Sequence, residues 1–259
     1  MSVHALVLTG GHPFDRPTFH ELLDALPDVT WEHVEQPAAL DRLAPGEVGA
    51  DVILSYDMPG IRFRAGDLPE ITPPPPDVVD GYTALLDEGQ PFVFLHHAIC
   101  SWPAWPEFAE IVGGRYHYVP AELRGEPWPD SGYRHDVDQT LTVVEPDHPV
   151  CAGLPERFEL NDETYVCPIF ADDITPLIVT DAPLTEDDHW STLLAITGRR
   201  DDREGWHHPP GIPYAAWVKT ARRSPVAYLQ PGDGPSAFGN PHYRRLVANA
   251  VHWAAATRP

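Results

Sequence analysis

The run Phe92-Val93-Phe94-Leu95-His96-His97-Ala98-Ile99-Cys100-Ser101-Trp102-Pro103 constrains this chain more than any other stretch. Four apolar residues lead straight into two histidines; small and polar residues follow, and then a helix-like segment. A short apolar run bounded by Pro91 and a turn is the pattern of a strand buried on both faces, as in a parallel sheet covered by helices. Ligands of such sheets bind outside the carboxyl ends of the strands. His96 and His97 fall at that edge, so the candidate functional residues are those that can reach it.

The rest of the first half repeats the same alternation. Val3 to Thr9 is apolar and ends in Gly10-Gly11-His12, which puts His12 on the first loop of the same edge. Pro17 to Leu26 has helical spacing, Val29 to Val34 alternates as a strand, and Asp51 to Asp57 reads as a third strand with polar groups at its end. Met58 to Pro76 has no periodicity and suits a lid or an arm that docks a partner subunit, a second copy included. Helices follow over Asp77 to Asp87 and Pro103 to Val112, the second stopped by Gly113-Gly114. The order β-α-β-α-β-α-β-α predicts a doubly wound, mostly parallel α/β sheet with helices on both faces.

In the second half, Gln139 to Val144, Leu177 to Thr180, Thr192 to Thr197, Tyr214 to Lys219 and Pro225 to Leu229 read as strands with little helix between them. That predicts an antiparallel extension of the same sheet, within one domain spanning residues 1–259. Asp181 to Asp188 and Gly198 to Pro213 read as polar loops, and Pro241 to Ala256 as a closing helix.

Composition narrows the partners. With 17 Lys+Arg against 39 Asp+Glu the formal net charge is −22, which argues against nucleic acid or an anionic membrane as partner. The three cysteines, Cys100, Cys151 and Cys167, form no CxxC pair and no disulfide framework, and the N-terminus reads as a strand and not as a signal peptide; the expected compartment is the cytoplasm. There is no GxGxxG, P-loop or GxSxG, so no nucleotide cofactor and no serine nucleophile is expected.

Two segments carry a family resemblance. Asp147-His148-Pro149-Val150-Cys151-Ala152-Gly153-Leu154-Pro155 followed by Phe158-Glu159-Leu160-Asn161-Asp162-Glu163-Thr164-Tyr165 resembles the DHP to DExY stretch of the ThuA-like (trehalose-utilisation) proteins. Gly10-Gly11-His12, Phe94-Leu95-His96, Gly113-Gly114-Arg115-Tyr116 and the closing helix after Asn240 match in kind and order. The resemblance implies a branch of the class I glutamine amidotransferase-like superfamily with a flavodoxin-like fold, sugar utilisation, and His96 standing about where amidotransferases carry their cysteine. Relatives often carry Gly-His after the late strand, where this chain has Gln230-Pro231-Gly232-Asp233-Gly234, so Asp233 becomes the candidate substitute.

His12, His96, His97, His135 and Glu163 all fall on expected loops. Imidazoles with a carboxylate suit zinc or another divalent metal, and His96, His135 and Glu163 form the expected ligand set. Without a metal the same groups line a polar pocket, with His96, His97 and Glu163 as acid/base candidates and Asp162 bracing a histidine. Cys100 lies four residues past His96, beyond a nucleophile turn, and reads as a buried thiol. Trp102 and Tyr165 adjoin these segments and are expected, with His12 and Asp233, to bind a carbohydrate-like substrate; Trp105, Tyr116, Tyr133 and Trp217 read as core. Two function classes follow: a hydrolase or isomerase of a sugar or keto-sugar, or a non-catalytic binding or assembly protein on a degenerate amidotransferase-like scaffold. A cysteine-dependent glutaminase is not expected.

Overall fold

The computed structural model describes residues 2–259. The chain runs β1 (Val3–Gly10), α1 (Arg16–Asp24), β2 (Val29–Glu35), β3 (Val52–Asp57), the short hairpin β4 (Ile61–Arg62) and β5 (Glu70–Ile71), α2 (Pro76–Asp87), β6 (Phe92–Leu95) and α3 (Pro106–Val112). It continues with β7 (Ala121–Leu123), β8 (Glu126–Trp128), β9 (Gly132–Val143), β10 (Arg157–Val166), β11 (Thr175–Thr180), β12 (Trp190–Ser191), α4 (Thr192–Ile196), β13 (Tyr214–Ala221), β14 (Ser224–Leu229), α5 (Pro235–Gly239) and α6 (Pro241–Thr257).

One sheet carries both halves, in the order β10-β9-β11-β13-β14-β6-β3-β1-β2, with β12 on β9. The strands from β2 to β14 are parallel, and those from β13 outward are antiparallel. The two-sided burial expected of the central strand is present. Val93 and Leu95 face α1 and α6 through Phe19, Leu22, Leu246 and Val247, while Phe92 and Phe94 face α2 and α3 through Tyr82, Leu85 and Phe108. Alternation along a strand sends neighbouring side chains to opposite faces, and here both faces are dry.

Helix starts are written in the chain. Asp15 caps α1 by accepting from Thr18 N at 3.0 Å, and Asn240 caps α6 by accepting from His242 N and Tyr243 N. Prolines sit in the first turns of α2, α3 and α6, where a missing N–H costs nothing. The DHP motif is a turn. His148 Nδ1 accepts from Val150 N, and Asn249 of α6 donates to the carbonyls of Val150 and Ala152.

Three expectations need correcting. Thr192–Ile196 is helical, because Ser191 caps it by accepting from Leu194 N and Asp130 accepts from both Ser191 Oγ and Leu193 N. His135 lies within β9, and Asp162 and Glu163 lie within β10, all in one antiparallel pair whose register slips between Asp162 and Thr164. That bulge supplies the freedom of direction that a loop was expected to give. The Met58 to Pro76 arm is partly ordered as the β4–β5 hairpin. No described helix is long and apolar enough to cross a membrane.

Gly81 shows how closely α2 is docked, since a Cβ built there would lie 1.9 Å from the Leu43 carbonyl oxygen. Gly81→Ala is expected to lower stability by roughly 1–3 kcal/mol in a denaturant titration, although alanine is the better helix former.

Buried His189 donates from Nδ1 to the Thr185 carbonyl and accepts at Nε2 from Thr164, and burial lowers its pKa to about 4. Its folded pKa lies below the unfolded value of about 6.5, so the native state binds fewer protons and acidification from 6.5 towards 4 removes stability. The fall in melting temperature from pH 7 to pH 5 should be smaller in His189→Asn than in the wild type.

Candidate active site

The carboxyl ends of β1, β3, β6 and β14, together with the β9–β10 pair, surround a cavity of about 720 Å³. His96 follows β6 directly, in a left-handed backbone conformation at φ +43° that is uncommon for a residue with a side chain. Three contacts hold it there. Its Nδ1 donates to the Gln230 carbonyl at 2.6 Å, its own carbonyl accepts from Tyr228 Oη at 2.8 Å, and its ring stacks on Tyr165 at 4.7 Å. A carbonyl can only accept, so Nδ1 keeps a proton in either charge state, and Nε2, where the second proton is gained or lost, is the nitrogen presented to the site.

Around Nε2 stand Tyr165 Oη at 2.7 Å, Glu163 Oε2 at 3.1 Å and Asp233 Oδ1 at 3.5 Å. Burial works hardest on this imidazole and favours the neutral form, but hydrogen bonds and charge from Asp233 and Glu163 override it and raise the pKa well above the ordinary histidine value. The same contact holds Asp233 below the usual carboxylate range against its own burial.

Glu163 is gripped from two sides. Oε2 faces His96, and Oε1 lies 3.1 Å from His135 Nδ1 on the adjacent strand. Its neighbour Asp162 is fully buried and braces a loop, not the histidine expected of it. Oδ2 accepts from Gly232 N at 2.6 Å and Oδ1 from Asp233 N at 3.2 Å. Burial raises the Asp162 carboxyl to about 7, with His96 and the Gly232 N–H pulling the other way. The loop it holds has no room for a side chain at Gly232, where φ is +132° and a Cβ would lie 2.4 Å from Tyr243 Oη.

Among the described residues, one group of ionisable side chains meets a metal-binding spacing. His96, Glu163 and Asp233 each offer a ligand atom, all within 4.8 Å of one another. This set shares His96 and Glu163 with the expected one and replaces His135 by Asp233, while His135 backs Glu163 from behind. The donors fit a divalent cation, since Nε2 of His96 is the available nitrogen and two carboxylates supply charge.

The other expected residues divide. His12 and His97 both line the cavity with their rings 4.9 Å apart. Nε2 of His97 donates to the Tyr56 carbonyl at 3.1 Å, and burial lowers its pKa well below the ordinary value, which leaves a neutral wall residue whose Nδ1 has no protein partner. Trp102 does not line the cavity. It is buried beneath the Met58 to Pro76 arm, with its backbone N–H donating to the Pro59 carbonyl and its ring against Gly60. Cys100 borders the cavity but is buried, and burial raises its thiol well above its ordinary pKa, which disfavours the thiolate that a nucleophile needs.

Tyrosines 116, 118, 133 and 165 form the aromatic wall, and Phe63 from the arm packs on Tyr118 at 5.5 Å and closes one side. Tyr116 and Tyr133, read from the sequence as core, therefore face the cavity too. Gln230 and Arg200 also escaped the sequence reading. Gln230 works largely through its backbone carbonyl, which no side-chain pattern reveals, and Arg200 lies in a loop without periodicity.

The family model for ThuA, described as trehalose utilisation, matches residues 72–254. The chain belongs to the ThuA family. Its fold is similar to that of a ThuA-like protein from Parabacteroides merdae, with 14% identity, a TM-score of 0.66 and coverage of 98% of this chain and 90% of that one. A second ThuA-like protein, from Bacteroides uniformis, is 16% identical with a TM-score of 0.65 and coverage of 97% and 91%. The carbohydrate deacetylase Agd3 is similar at a TM-score of 0.54 and 13% identity, over 97% of this chain and 32% of that one. No curated protein matches the sequence. At these identities the likeness is one of fold, so chemistry in this ThuA-family chain has to be argued from its own residues.

Replacing Asp162 tests the brace beneath Asp233. Asp162→Ala leaves the N–H groups of Gly232 and Asp233 without acceptors, and a loss of about 1–3 kcal/mol in chemical denaturation is expected, accompanied by weaker binding of any ligand that needs Asp233.

Proposed function

We infer that this ThuA-family protein is a carbohydrate-acting enzyme, a hydrolase or an isomerase of a sugar or keto-sugar, whose active site is the cavity at the end of β6. The observation that carries this reading is the convergence of His96 Nε2, Glu163 and Asp233 within 4.8 Å on the wall of one cavity, although they lie far apart along the chain. The family's description as trehalose utilisation and the likeness to a carbohydrate deacetylase support a sugar as the substrate class.

A divalent cation, zinc by the chemistry of its donors, would be held by His96, Glu163 and Asp233, and it would polarise a carbonyl or acidify a water. The protein's own residues do the rest. The Gln230 carbonyl keeps Nδ1 of His96 protonated, and His135 orients Glu163, the carboxylate at the cavity that serves as the candidate base. Tyr165 Oη, hydrogen-bonded at Nε2 of His96, can donate a proton to a substrate oxygen bound at the same place. The tyrosine wall offers flat faces to the C–H side of a sugar ring, and Phe63 limits access of water.

Elemental analysis of protein purified without chelator should show close to one zinc, manganese or iron per chain. Turnover of a panel of sugars and keto-sugars should then fall at least about 100-fold in His96→Ala and in Glu163→Ala, with melting temperatures showing both variants folded. Full activity in both variants would end this reading, and binding of a sugar without product would assign the cavity to ligand capture.

A further inference from the structure

Several arginines of this acidic protein are held tightly by carboxylates, whereas the one at the cavity meets its carboxylate only loosely. Arg42, Arg64 and Arg222 each meet a carboxylate oxygen at 2.5–2.7 Å. Arg199 is held by Asp202 at 2.5 Å and by Glu204 at 2.6 Å. Its neighbour Arg200 lines the cavity, and its nearest carboxylate, Asp201, is 3.8 Å away. Its other polar contact is His135 Nε2 at 3.5 Å. Among the described residues that line the cavity, Arg200 is the lone arginine or lysine.

The backbone next to it is restrained, while the Arg200 side chain itself is 73% exposed at the cavity mouth. Asp201 adopts a left-handed backbone at φ +58° and is tied to Tyr133 twice, its N–H donating to Tyr133 Oη at 3.1 Å and its Oδ1 accepting from that hydroxyl at 3.2 Å. A side-chain-bearing residue in this region is retained where surrounding contacts demand it. Beside this turn Arg199 pairs with its two carboxylates and Arg200 lines the cavity. From Arg200 the contacts run through the His135 ring, by a 3.5 Å hydrogen bond at Nε2 and a 3.1 Å contact from Nδ1 to Glu163 Oε1, so one imidazole separates the guanidinium from the His96, Glu163 and Asp233 cluster. Arg200, the cluster and the tyrosine wall all line the same cavity of about 720 Å³.

We propose that Arg200 is the specificity-determining residue of the cavity and that the ligand is a sugar acid, with its carboxylate on Arg200 and its hydroxyl or carbonyl oxygens at the opposite cluster. A guanidinium matches a carboxylate through paired N–H donors. A single negative charge fits better than a phosphate dianion, because Asp15, Glu163 and Asp233 share the same walls with this one cation. The inference rests on the carbohydrate reading above but not on turnover, and its test reads binding alone.

Titration calorimetry of the full chain with D-glucuronate, D-gluconate, D-glucose and D-glucose 6-phosphate separates the cases, repeated with Arg200→Gln and with the charge-keeping Arg200→Lys. At least one of the two acids should bind about ten-fold or more tighter than glucose and tighter than the phosphate. Arg200→Gln should bring that acid down to the affinity of glucose, and Arg200→Lys should restore part of the difference. Equal binding of acids and glucose, absence of binding by both acids at millimolar concentration, preference for the phosphate, or a preference that survives Arg200→Gln would each overturn the proposal. Discrimination by Arg200 without turnover of any sugar would leave it standing and remove only the enzymatic reading.

Discussion

The hydrogen bond from His96 Nδ1 to the Gln230 carbonyl is the contact on which the rest of the site depends. It joins the end of β6 to the end of β14, keeps a proton on Nδ1, and turns Nε2 towards Glu163 and Asp233. Were the imidazole to lose it, the left-handed turn at His96 would lose one of its main restraints, and Nε2 would have no defined direction. The Gln230 side chain adds a second tie, because its amide donates to the Glu163 backbone carbonyl at 2.9 Å. One residue thus aligns the histidine and the strand that carries its carboxylate partner.

Electrostatics at this point are finely opposed. Burial pushes every ionisable group towards its neutral form, while proximity of unlike charges pushes His96 and Asp233 the other way and prevails. Asp162 lacks such a close cationic partner and is left near neutrality in its titration, at about 7, although it sits next to Glu163. Adjacent acidic residues on one strand therefore have different work. Asp162 is committed to backbone N–H groups, and Glu163 is presented to the cavity.

The layout of the fold was legible in the sequence because it depends on periodicity. Phe92 to Leu95 reads as a strand buried on both faces and is one, and the change from parallel to antiparallel pairing falls between β14 and β13, in the half where helices become scarce. Thr192–Ile196 was misread because its β-favouring composition says strand, whereas the Ser191 cap and the Asp130 carboxylate, sixty residues upstream, decide for helix. At the site, His12, His96, Glu163, Tyr165 and Asp233 could be picked out because they lie at strand ends or in motifs. The bulge that re-aims Glu163, the backbone carbonyl of Gln230 and the placing of Asp233, where His135 was expected, beside His96 and Glu163 are products of tertiary pairing, which no local pattern encodes. Trp102 failed as a pocket residue for a related reason: its neighbours in sequence face the cavity, but the left-handed turn at Trp102 sends its ring under the arm.

The three converging donors are drawn from both sides of the seam where parallel pairing gives way to antiparallel. His96 follows a parallel strand, Glu163 belongs to the far antiparallel edge, and Asp233 leaves the strand where the two regimes meet. Most closing contacts therefore bridge long stretches of chain, 67 residues for His96 to Glu163 and 134 for His96 to Gln230. Neither half contains a working fragment of the pocket, and loop closure over such distances delays its assembly until both halves have docked. A ligand held by all three donors would act as a clasp across the seam, and its binding would favour the complete tertiary structure over every partly assembled one.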